Sequence, residues 1–587
     1  MQEQGKRLIL AVGLALGVLL LWQKFLGPKD EPKPPGAGSG SASVLVTAKP
    51  SSLVGYDGEA PHADEQQITL KYPSFDVSFS NLGGNVKSWH LTDPRYVGDQ
   101  TKGQLVADAG ELEVGFTKSS TFKLPKNAVW TGTQTNDHQV QYKLSTDALD
   151  IVKTFDVVPD AFIVKLSVAI TAKKDARQQI AISNYQFQDP KQLGGGSSRI
   201  QAREWNSSTL RADGDILQTP LKDVQEHPRF EPNIVWAGWE HPYLLVGFAP
   251  KPSEGGTVEK HTYDEKTDGH MRTDLIYQAV DLKPGAPAFT REIAAYFGPK
   301  NYDQLNHTDE AAGFSTGFGK TIDLGWFGFL GKRLLWLLIK LEGFVGNWGV
   351  AIILLTVLVK LVTLYWMTKS MRSMKAMAVL GPQIKALNEK YAGDKQRIQV
   401  ETMALYKQNG ANPLSGCLPM VLQMPIWIAL YRMLSNAGEL YRQTFIGGWI
   451  DDLTAADPSH VLPVVLVITM FAQARLTPQN PDPAQRTQQK IMQYGMPLLF
   501  GGMSWVFPAG LTLYIFTNTC LSALHSIYMN KFDKKSLEIA AKIKAAQDEA
   551  AAKTASLAAG KAKNANVTDE DSKSASSQKK KKKGSGK

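Results

Sequence analysis

One apolar stretch, residues 352–366, has a lysine near its middle and constrains the fold more than any other feature of the sequence. As an α-helix it would cross much of a bilayer, and Lys369, Arg372 and Lys375 behind it mark a cytoplasmic end. At about 1.5 Å per residue, Lys360 would lie roughly 13 Å deep, where a lysine costs about 2.5–3.5 kcal/mol. It is expected to face a polar cavity; the alternative is a tilted helix and a thinned bilayer around a snorkelled lysine.

Other polar residues in apolar segments extend this pattern. Thr356 and Thr363 share the helical face of Lys360, because they lie four residues before it and three after it. The last apolar segment is also polar in places, with Thr512, Tyr514, Thr517, Asn518, Thr519 and Ser522. The candidate lining of a wet groove is Thr356, Thr363, Gln423, Thr512 and Tyr514. We favour the groove for Lys360 and Gln423, whereas for threonines and serines we favour the alternative, hydrogen bonds between helices.

Apolar segments of span length predict a membrane protein with six transmembrane helices. Five lie in the second half of the chain, at 343–366, 413–435, 461–476, 491–507 and 508–529. The sixth follows Lys6 and Arg7 without a small-x-small cleavage motif, which predicts an uncleaved signal anchor over residues 1–27. The loop 367–412 has eight lysines and arginines against three acidic residues, so we place it in the cytoplasm with both chain termini.

The first half of the chain has a different pattern. Residues 61–318 contain short alternating or β-branched stretches between turn signals, which predicts a large β-sandwich outside the cytoplasm. The preceding residues 28–60 are rich in Pro, Gly and Ser and predict a flexible linker, which would leave the sandwich mechanically independent. Residues 322–342 predict an amphipathic helix in the membrane interface, since charges gather on one side of an apolar helix; the alternative is the wet start of the next span.

Three further segments are predicted on the basis of charge and helical spacing. Residues 367–412 predict a cytoplasmic helical hairpin broken at Gly393 and Asp394, and the loops 436–460 and 477–490 alternate between outside and inside. The tail 530–587 has 15 basic and 7 acidic residues from Lys531 onward, a net charge of +8. Such a tail suits ribosomal RNA or anionic lipid, although a merely solvated tail is an equal alternative.

Cysteine, histidine and methionine usage narrows the chemistry. The only two cysteines lie in apolar segments and no histidine pair has metal-binding spacing, so neither a disulfide framework, a metal site nor a cofactor is predicted. Thirteen of the fifteen methionines lie between residues 367 and 529, as expected for surfaces that accept varied apolar partners; ordinary gap filling is the alternative. The candidate substrate contacts are Met420, Met424, Ile428 and Trp505.

Six short motifs resemble the YidC membrane protein insertases of the YidC/Oxa/Alb family. They are residues 381–384 (GPQI), 394–398 (DKQRI), 403–407 (MALYK), 412–419 (NPLSGCLP), 423–426 (QMPI) and 507–514 (FPAGLTLY). The resemblance implies five helices forming an insertase core, a periplasmic sandwich like that of sugar mutarotases, and a groove that holds one essential positive charge at Lys360. Many members have Arg where this chain has Lys360. Trp505 is shifted from the position of the family aromatic.

The resemblance also implies a function, partners and a location. The chain would be a multi-pass protein of the bacterial inner membrane with its β domain in the periplasm. It would insert and help fold inner-membrane proteins without being an enzyme, alone or with the Sec translocon. Its partners would be nascent membrane proteins, the Sec translocon, the ribosome at the basic tail and hairpin, and anionic lipids. The alternative functions are a solute transporter or channel with a periplasmic ligand-binding domain, and an external sugar-binding enzyme. The groove residues all lie in 343–529, so the sandwich is expected to be largely dispensable for insertion.

Overall fold

The computed structural model describes most of the chain outside its two ends. The described residues are 53–97, 102–187, 205–220, 223–224, 229–252, 258–265, 270–322, 324–325, 327–409, 418–477, 483–542, 544, 545, 548 and 552. All of them belong to one compact unit, Thr47–Lys587. The predicted signal anchor, nearly all of the linker and most of the basic tail lie outside the described residues.

The first part of the chain is built from strands. They are β1 (Val54–Glu59), β2 (Gln67–Lys71), β3 (Phe75–Ser80), β4 (Asn85–Leu91), β5 (Glu113–Thr117), β6 (Leu124–Lys126), β7 (Thr131–Asn136), β8 (Gln139–Ser145), β9 (Leu149–Val158), β10 (Ile163–Ala172), β11 (Ala176–Gln178), β12 (Ile180–Phe187), β13 (Asn206–Arg211), β14 (Ile216–Pro220), β15 (Arg229–Glu231), β16 (Ile234–Glu240), β17 (Leu244–Pro250), β18 (Glu259–Glu265), β19 (His270–Ile276), β20 (Val280–Leu282) and β21 (Phe289–Pro299). We call residues 54–299 the β domain.

Two large sheets dominate the β domain. A nine-stranded sheet has the order β14-β13-β16-β17-β21-β10-β9-β8-β7, and a seven-stranded sheet has the order β15-β18-β19-β12-β5-β1-β6. Smaller sheets, β2-β3-β4 and β11-β20, complete it. Phe116 of the seven-stranded sheet and Phe155 of the nine-stranded sheet belong to one hydrophobic cluster, so the two sheets share a core. This arrangement agrees with the predicted β-rich domain.

Residue alternation explains why these segments form strands. Along β9, buried and partly exposed side chains alternate at every position, which is the period of a strand with one face on a core. β9 pairs antiparallel with β10 from Leu149 with Ala172 to Val158 with Ile163. Phe162 closes the turn between them in the left-handed region, with φ of 56°.

Lys153 breaks the apolar pattern on the buried face of β9. Its Nζ donates hydrogen bonds to the carbonyl oxygens of Gly83 at 2.8 Å and Gly84 at 2.7 Å, and it lies 4.4 Å from the ring centre of Trp130. Burial lowers the pKa of Lys153 to about 7. The buried ammonium is thus satisfied by backbone oxygens and an aromatic face, but it has lost its water.

This burial predicts a pH-dependent stability. The pKa of Lys153 is lower in the folded chain than in the unfolded chain, so between about pH 7 and pH 10 the unfolded chain binds more protons and stability rises with pH. We expect the melting temperature of the full chain minus that of Lys153→Met to increase from pH 7 to pH 9. The corresponding difference in unfolding free energy should grow by about 1 kcal/mol per pH unit. Thermal melts of both proteins in one detergent measure it, and parallel pH profiles would contradict it.

Helices make up the second part of the chain. One short helix, α1 (Pro94–Val97), lies within the β domain. The helices that follow the β domain are α2 (Tyr302–Ala312), α3 (Gly328–Val345), α4 (Trp348–Val379), α5 (Gly381–Lys390), α6 (Lys395–Gln408), α7 (Leu418–Asn436), α8 (Val461–Leu476), α9 (Pro483–Ser504) and α10 (Ala509–Lys531). Short 3₁₀ turns lie at Pro159–Ala161, Phe318–Thr321 and Gly438–Leu440. The helices α5 and α6 lie within the predicted hairpin segment 367–412, whose first residues belong to α4.

Length and composition single out one of the described helices as able to cross a membrane, α4. α8 is apolar but has only 16 residues. Polar residues lower the apolar character of α9 and α10, and Pro425 lies inside α7. The described helices therefore do not establish the predicted count of six spans.

The helix α4 differs from the predicted span 343–366 at both ends. It begins only after Gly346, which adopts φ of 67° and ends α3, and Asn347 caps it by accepting a hydrogen bond from the Val350 amide at 3.0 Å. It continues without a break to Val379, because no glycine or proline occurs from Val350 to Val379. The basic residues that follow the apolar stretch therefore lie on the same rigid helix as Lys360.

The helix α3 matches the predicted amphipathic segment 322–342 with a later start and end. It buries Leu334, Leu335 and Leu338 and exposes Phe329 and Phe344, which are 74% and 86% accessible. Large aromatic side chains exposed beside a buried leucine face are typical of a helix lying at a membrane surface.

The β domain is packed against the turn that follows α7. Tyr441 stacks on Tyr243 with ring centres 4.8 Å apart and on Tyr96 at 5.7 Å, and Tyr441 is 1% exposed. Tyr243 and Tyr96 both belong to the β domain. The prediction that this domain is mechanically independent of the helices is therefore wrong, because a linker pattern at 28–60 carries no information about contacts made 400 residues later.

A close backbone approach completes this contact. A Cβ atom on Gly438 would lie 2.7 Å from the Lys300 carbonyl oxygen, so only glycine fits there. The neighbouring Glu439 accepts a hydrogen bond from the Tyr302 amide at 2.7 Å, and burial raises the pKa of its carboxyl group. We call this contact the joint. It consists of residues 438–441 packed against residues 300–302 and against Tyr96 and Tyr243 of the β domain.

Candidate functional site

Lys360 lies in the interior of the helical region and contacts α10. Its side chain is almost fully enclosed, with 6% of the residue exposed. The Nζ atom donates hydrogen bonds to Asn518 Oδ1 at 3.2 Å and to Ser522 Oγ at 2.5 Å. Asn518 and Ser522 are one turn apart on α10, and the Ser522 hydroxyl donates to the Asn518 carbonyl at 2.7 Å. The predicted polar surroundings of Lys360 are thus provided by two neutral side chains of one helix.

The neutrality of these partners matters for the chemistry of the site. Among the described residues, no carboxylate forms an ion pair with Lys360. A buried ammonium held only by neutral oxygens gains less than one paired with a carboxylate, because it lacks the Coulomb attraction of an opposite charge. An incoming carboxylate could therefore displace Asn518 and Ser522 at Lys360 without first separating an existing ion pair.

The threonines of the predicted lining bond to their own helices. Thr356 Oγ1 donates to the Ile352 carbonyl at 2.7 Å, and Thr363 Oγ1 donates to the Val359 carbonyl at 3.0 Å. Thr512 Oγ1 donates in the same way to the Pro508 carbonyl. The favoured interpretation of these three threonines as hydrogen bonds between helices is wrong, because each hydroxyl donates to the carbonyl four residues earlier in its own helix.

The structure joins two other predicted residues. Gln423 Nε2 on α7 donates a hydrogen bond to the Tyr514 hydroxyl on α10 at 3.1 Å. Tyr514 is 2% exposed, so this bond is enclosed within the helices. It ties the segment that contains Pro425 to α10, whose Asn518 and Ser522 accept the hydrogen bonds of Lys360.

The candidate substrate contacts are placed differently from one another. Met424 on α7 is 52% exposed, as a substrate contact requires, whereas Ile428 is 8% exposed and packs inside. Trp505 is 46% exposed and lies edge-on to His460 with ring centres 5.3 Å apart, at the start of α8. Met420 lies in α7, but its side chain is outside the described part of the chain.

Polar contacts between α4 and α10 continue well beyond Lys360. Thr368 Oγ1 and His525 Nε2 are 3.0 Å apart, and Lys375 Nζ donates to the Met529 carbonyl at 2.8 Å. The last contact is an ion pair between Arg372 and Asp533, just past the end of α10. We call this line of contacts, from Lys360 with Ser522 to Arg372 with Asp533, the seam.

The sequence itself contains a signal for the seam. Residues 518, 522, 525, 529 and 533 are spaced by four, three, four and four, which places them on one helical face. On α4, the matching residues 360, 368, 372 and 375 are spaced by eight, four and three, which also places them on one side of the helix. The apolar composition of both helices predicts the length of a span, whereas the seam depends on which helix faces pack together.

Asp533 is held firmly at the end of the seam. Arg372 donates to both of its carboxylate oxygens, from Nε at 3.1 Å and from a terminal nitrogen at 2.5 Å. The Arg372 guanidinium holds the pKa of the Asp533 carboxyl well below its usual range. Asp533 also accepts a hydrogen bond from the Ser536 amide at 2.9 Å, as a helix N-cap does.

Comparison with known families covers nearly the whole chain. Residues 340–536 match the model of the 60Kd inner membrane protein family, and residues 67–337 match the YidC periplasmic domain. The membrane protein insertase YidC of Anaeromyxobacter dehalogenans (strain 2CP-C) is 30% identical over 561 residues, covering 91% of this chain and 98% of the relative. The chain belongs to the YidC membrane protein insertase family. The YidC of Syntrophus aciditrophicus (strain SB) is also 30% identical, over 564 residues.

Family membership settles the coarse organisation of the chain. The β domain and α2 correspond to the periplasmic domain of the YidC family, and the helices from α4 to α10 correspond to the 60Kd inner membrane protein region. The predicted resemblance is confirmed. The relatives are named as insertases, a role in which no covalent bond is made or broken, and this agrees with the prediction that the chain is not an enzyme.

Similarity to solved structures is weaker. A crystal structure of an active YidC insertase with its first transmembrane domain resolved covers 89% of this chain and 99% of its own, at 17% identity and a TM-score of 0.35. A galactose mutarotase-like protein from Lactobacillus casei covers 39% of this chain and 99% of its own, at 9% identity and a TM-score of 0.29.

Proposed function

We propose that this chain inserts proteins into the bacterial inner membrane by offering Lys360 as an enclosed cation to acidic substrate segments. The observation that carries the proposal is the buried ammonium of Lys360, held by Asn518 and Ser522 and by no described carboxylate. Placing a cation in an apolar membrane helix costs free energy, and such a residue usually marks a functional site. Membership of the insertase family supports the same function.

The barrier to insertion lies in the polar flank of the substrate. A substrate helix of about 20 apolar residues gains about 0.3–0.6 kcal/mol per strong hydrophobe, so entry of the helix itself is favourable without ATP. Moving an acidic flank through hydrocarbon is unfavourable, because each carboxylate loses its water. A polar site within the membrane lowers that barrier by supplying charge and hydrogen-bond partners.

Lys360 suits transient pairing. Its ammonium presents three donors on a flexible stem, two of which are used by Asn518 and Ser522. A substrate carboxylate would replace these oxygens, and the amide and hydroxyl would then be released to bond the substrate backbone. An arginine would pair with a carboxylate in a bidentate manner, whereas lysine makes a weaker and more rapidly exchanged contact.

The apolar part of the substrate would leave sideways along α7 and α9. Met424 is exposed on this route, and Met420 and Trp505 are further candidates. Ile428 is buried, so its participation requires α7 to move. Gln423 and Tyr514 link α7 to α10, and breaking this hydrogen bond would accompany that movement.

The membrane arrangement and partners are also part of the proposal. Six spans with both termini in the cytoplasm place the hairpin α5–α6 and the basic tail on the side where nascent membrane proteins arrive. Its partners would be these nascent proteins, the Sec translocon, the ribosome and anionic lipids. The tail supports the ribosome and the lipid through its net charge of +8. Co-sedimentation with ribosomes at low and high salt, with and without residues 553–587, tests whether the tail binds the ribosome.

Reconstitution of the purified full chain tests the proposed function. We expect liposomes containing the chain to insert a single-span substrate with an acidic flank in the absence of ATP, as measured by protease protection of the translocated flank. Liposomes without the chain provide the control. Insertion equal to that control would contradict the proposal, and ion conductance in planar bilayers without insertion would favour the alternative of a channel.

A further inference from the structure

The far end of the seam is strongly basic. Neither α4 nor α10 contains an acidic residue. On α4, Lys360 and Lys375 donate hydrogen bonds to α10, and Arg372 donates to the segment just past its end. Lys360 and Lys375 are satisfied by neutral oxygens. Among the described residues, Arg372 is the one of the three that forms an ion pair with a carboxylate, and that carboxylate, Asp533, comes from the segment after α10.

The geometry at Arg372 is that of a carboxylate-binding site. Donation from Nε and from a terminal nitrogen to the two oxygens of one carboxylate is the bidentate arrangement that makes arginine selective for carboxylates. The Arg372 side chain is 37% exposed, so a group from outside can reach it, while the Asp533 side chain is 8% exposed. Lys375 contributes a second cation three residues away on the same helix.

The site lies in line with Lys360. Twelve residues of continuous helix separate Lys360 from Arg372, a distance of about 18 Å along α4. Thr368 and His525 lie between them and provide a further polar contact. A segment that binds at Arg372 is therefore already aligned with the polar path to Lys360.

We propose that Arg372 and Lys375 form an entry site for the acidic flank of a substrate, and that Asp533 occupies this site as an internal competitor in the resting chain. The proposal rests on the proposed function and adds an earlier step. The substrate carboxylate replaces Asp533 at Arg372, so Arg372 keeps a carboxylate partner throughout the exchange. Asp533 keeps its hydrogen bond from the Ser536 amide after release.

Asp533→Asn tests the competitor. Asparagine is as good an N-cap as aspartate, so the Ser536 contact is kept while the charge that pairs with Arg372 is lost. The control is Glu538→Gln, which makes the same change of charge at an exposed position five residues later. The probe is a soluble peptide with three aspartates, compared with the same peptide carrying three asparagines, and binding is measured on the full chain in non-ionic detergent.

We expect Asp533→Asn to bind the aspartate peptide roughly 3- to 10-fold more tightly than the wild type, since freeing one charge contact is worth about a factor of that size. Glu538→Gln should match the wild type, and the asparagine peptide should bind all variants equally weakly. Arg372→Gln should lose the aspartate peptide affinity whether or not Asp533 is also replaced.

Two results would overturn the proposal. One is equal affinity of Asp533→Asn and Glu538→Gln for the aspartate peptide. The other is an affinity of Arg372→Gln for the aspartate peptide equal to that of the wild type. The second result contradicts the proposal even if Asp533→Asn is unstable. Neither result depends on Lys360. A failure of the proposed function would instead appear as a lack of insertion by the wild type in liposomes, so the two failures are distinguishable.

Discussion

Lys360→Ala should lower insertion of substrates with acidic translocated flanks by roughly tenfold or more, while substrates with neutral flanks are affected much less. A tenfold loss corresponds to about 1.4 kcal/mol, the size of one charge-assisted contact in an enclosed site. Lys360→Glu should be at least as impaired, because it would repel the substrate acid. Lys360→Arg should retain insertion, since it keeps the charge. Protease protection of the flank in liposomes measures all four proteins.

The controls for this prediction separate charge from folding. Lys360→Met keeps the length and apolar stem of the side chain, and it removes a cation from an apolar helix, so the variant should remain stable. Lys385→Ala removes a cation from an exposed position in the hairpin and should have no effect. Wild-type insertion by a stably expressed Lys360→Ala chain, across several acidic substrates, would rule out the role of Lys360 proposed above.

Gly438→Ala should loosen the β domain from the helices. The added Cβ would meet backbone atoms of Lys300 at 2.7 and 2.8 Å, which a side-chain movement cannot relieve. Overpacking of this kind costs about 1–3 kcal/mol. We expect a lower melting temperature of the full chain and faster protease cleavage in residues 436–445. Gly447→Ala is the matched control in the same loop, because a Cβ there has no atom within 4 Å.

This variant also addresses the role of the β domain in insertion. Deleting the domain removes its contacts with Tyr441 as well as its bulk, and so cannot distinguish the two. Gly438→Ala keeps the domain and weakens only the joint. Normal insertion by a chain whose joint is cleaved rapidly would agree with the predicted dispensability of the domain, whereas loss of insertion would show that docking on the turn after α7 is required. Stability and cleavage identical to those of Gly447→Ala would contradict the prediction about the joint itself.

The features that the sequence predicted well are local. Alternation in β9 and β10 predicted strands, and the motifs from Gly381 to Tyr514 predicted the family, because each depends on residues close together in the chain. Lys360 was identified as a buried cation for the same reason. The sequence did not single out its direct partners, since Asn518 and Ser522 lie about 160 residues away and are two of several polar residues in the last apolar segment.

The predictions that were wrong concerned the choice between local and distant partners. Thr356, Thr363 and Thr512 were expected to bond across helices, yet each bonds the carbonyl of its own preceding turn. The β domain was expected to be independent, yet Tyr441 stacks on two of its tyrosines. In both cases composition was interpreted correctly, but composition does not specify which of several chemically equivalent partners is nearest.

The sequence by itself determined the family, the β-rich and helical halves and the presence of a cation in an apolar helix, because hydrophobic periodicity and short motifs act over a few turns of chain. Only the tertiary structure decided that this cation contacts neutral oxygens of α10, that α4 carries the basic residues along one seam to Asp533, and that the β domain rests on Gly438. These contacts depend on the rotation and depth at which helices and sheets pack, and packing is set by the whole set of meeting surfaces rather than by any one segment.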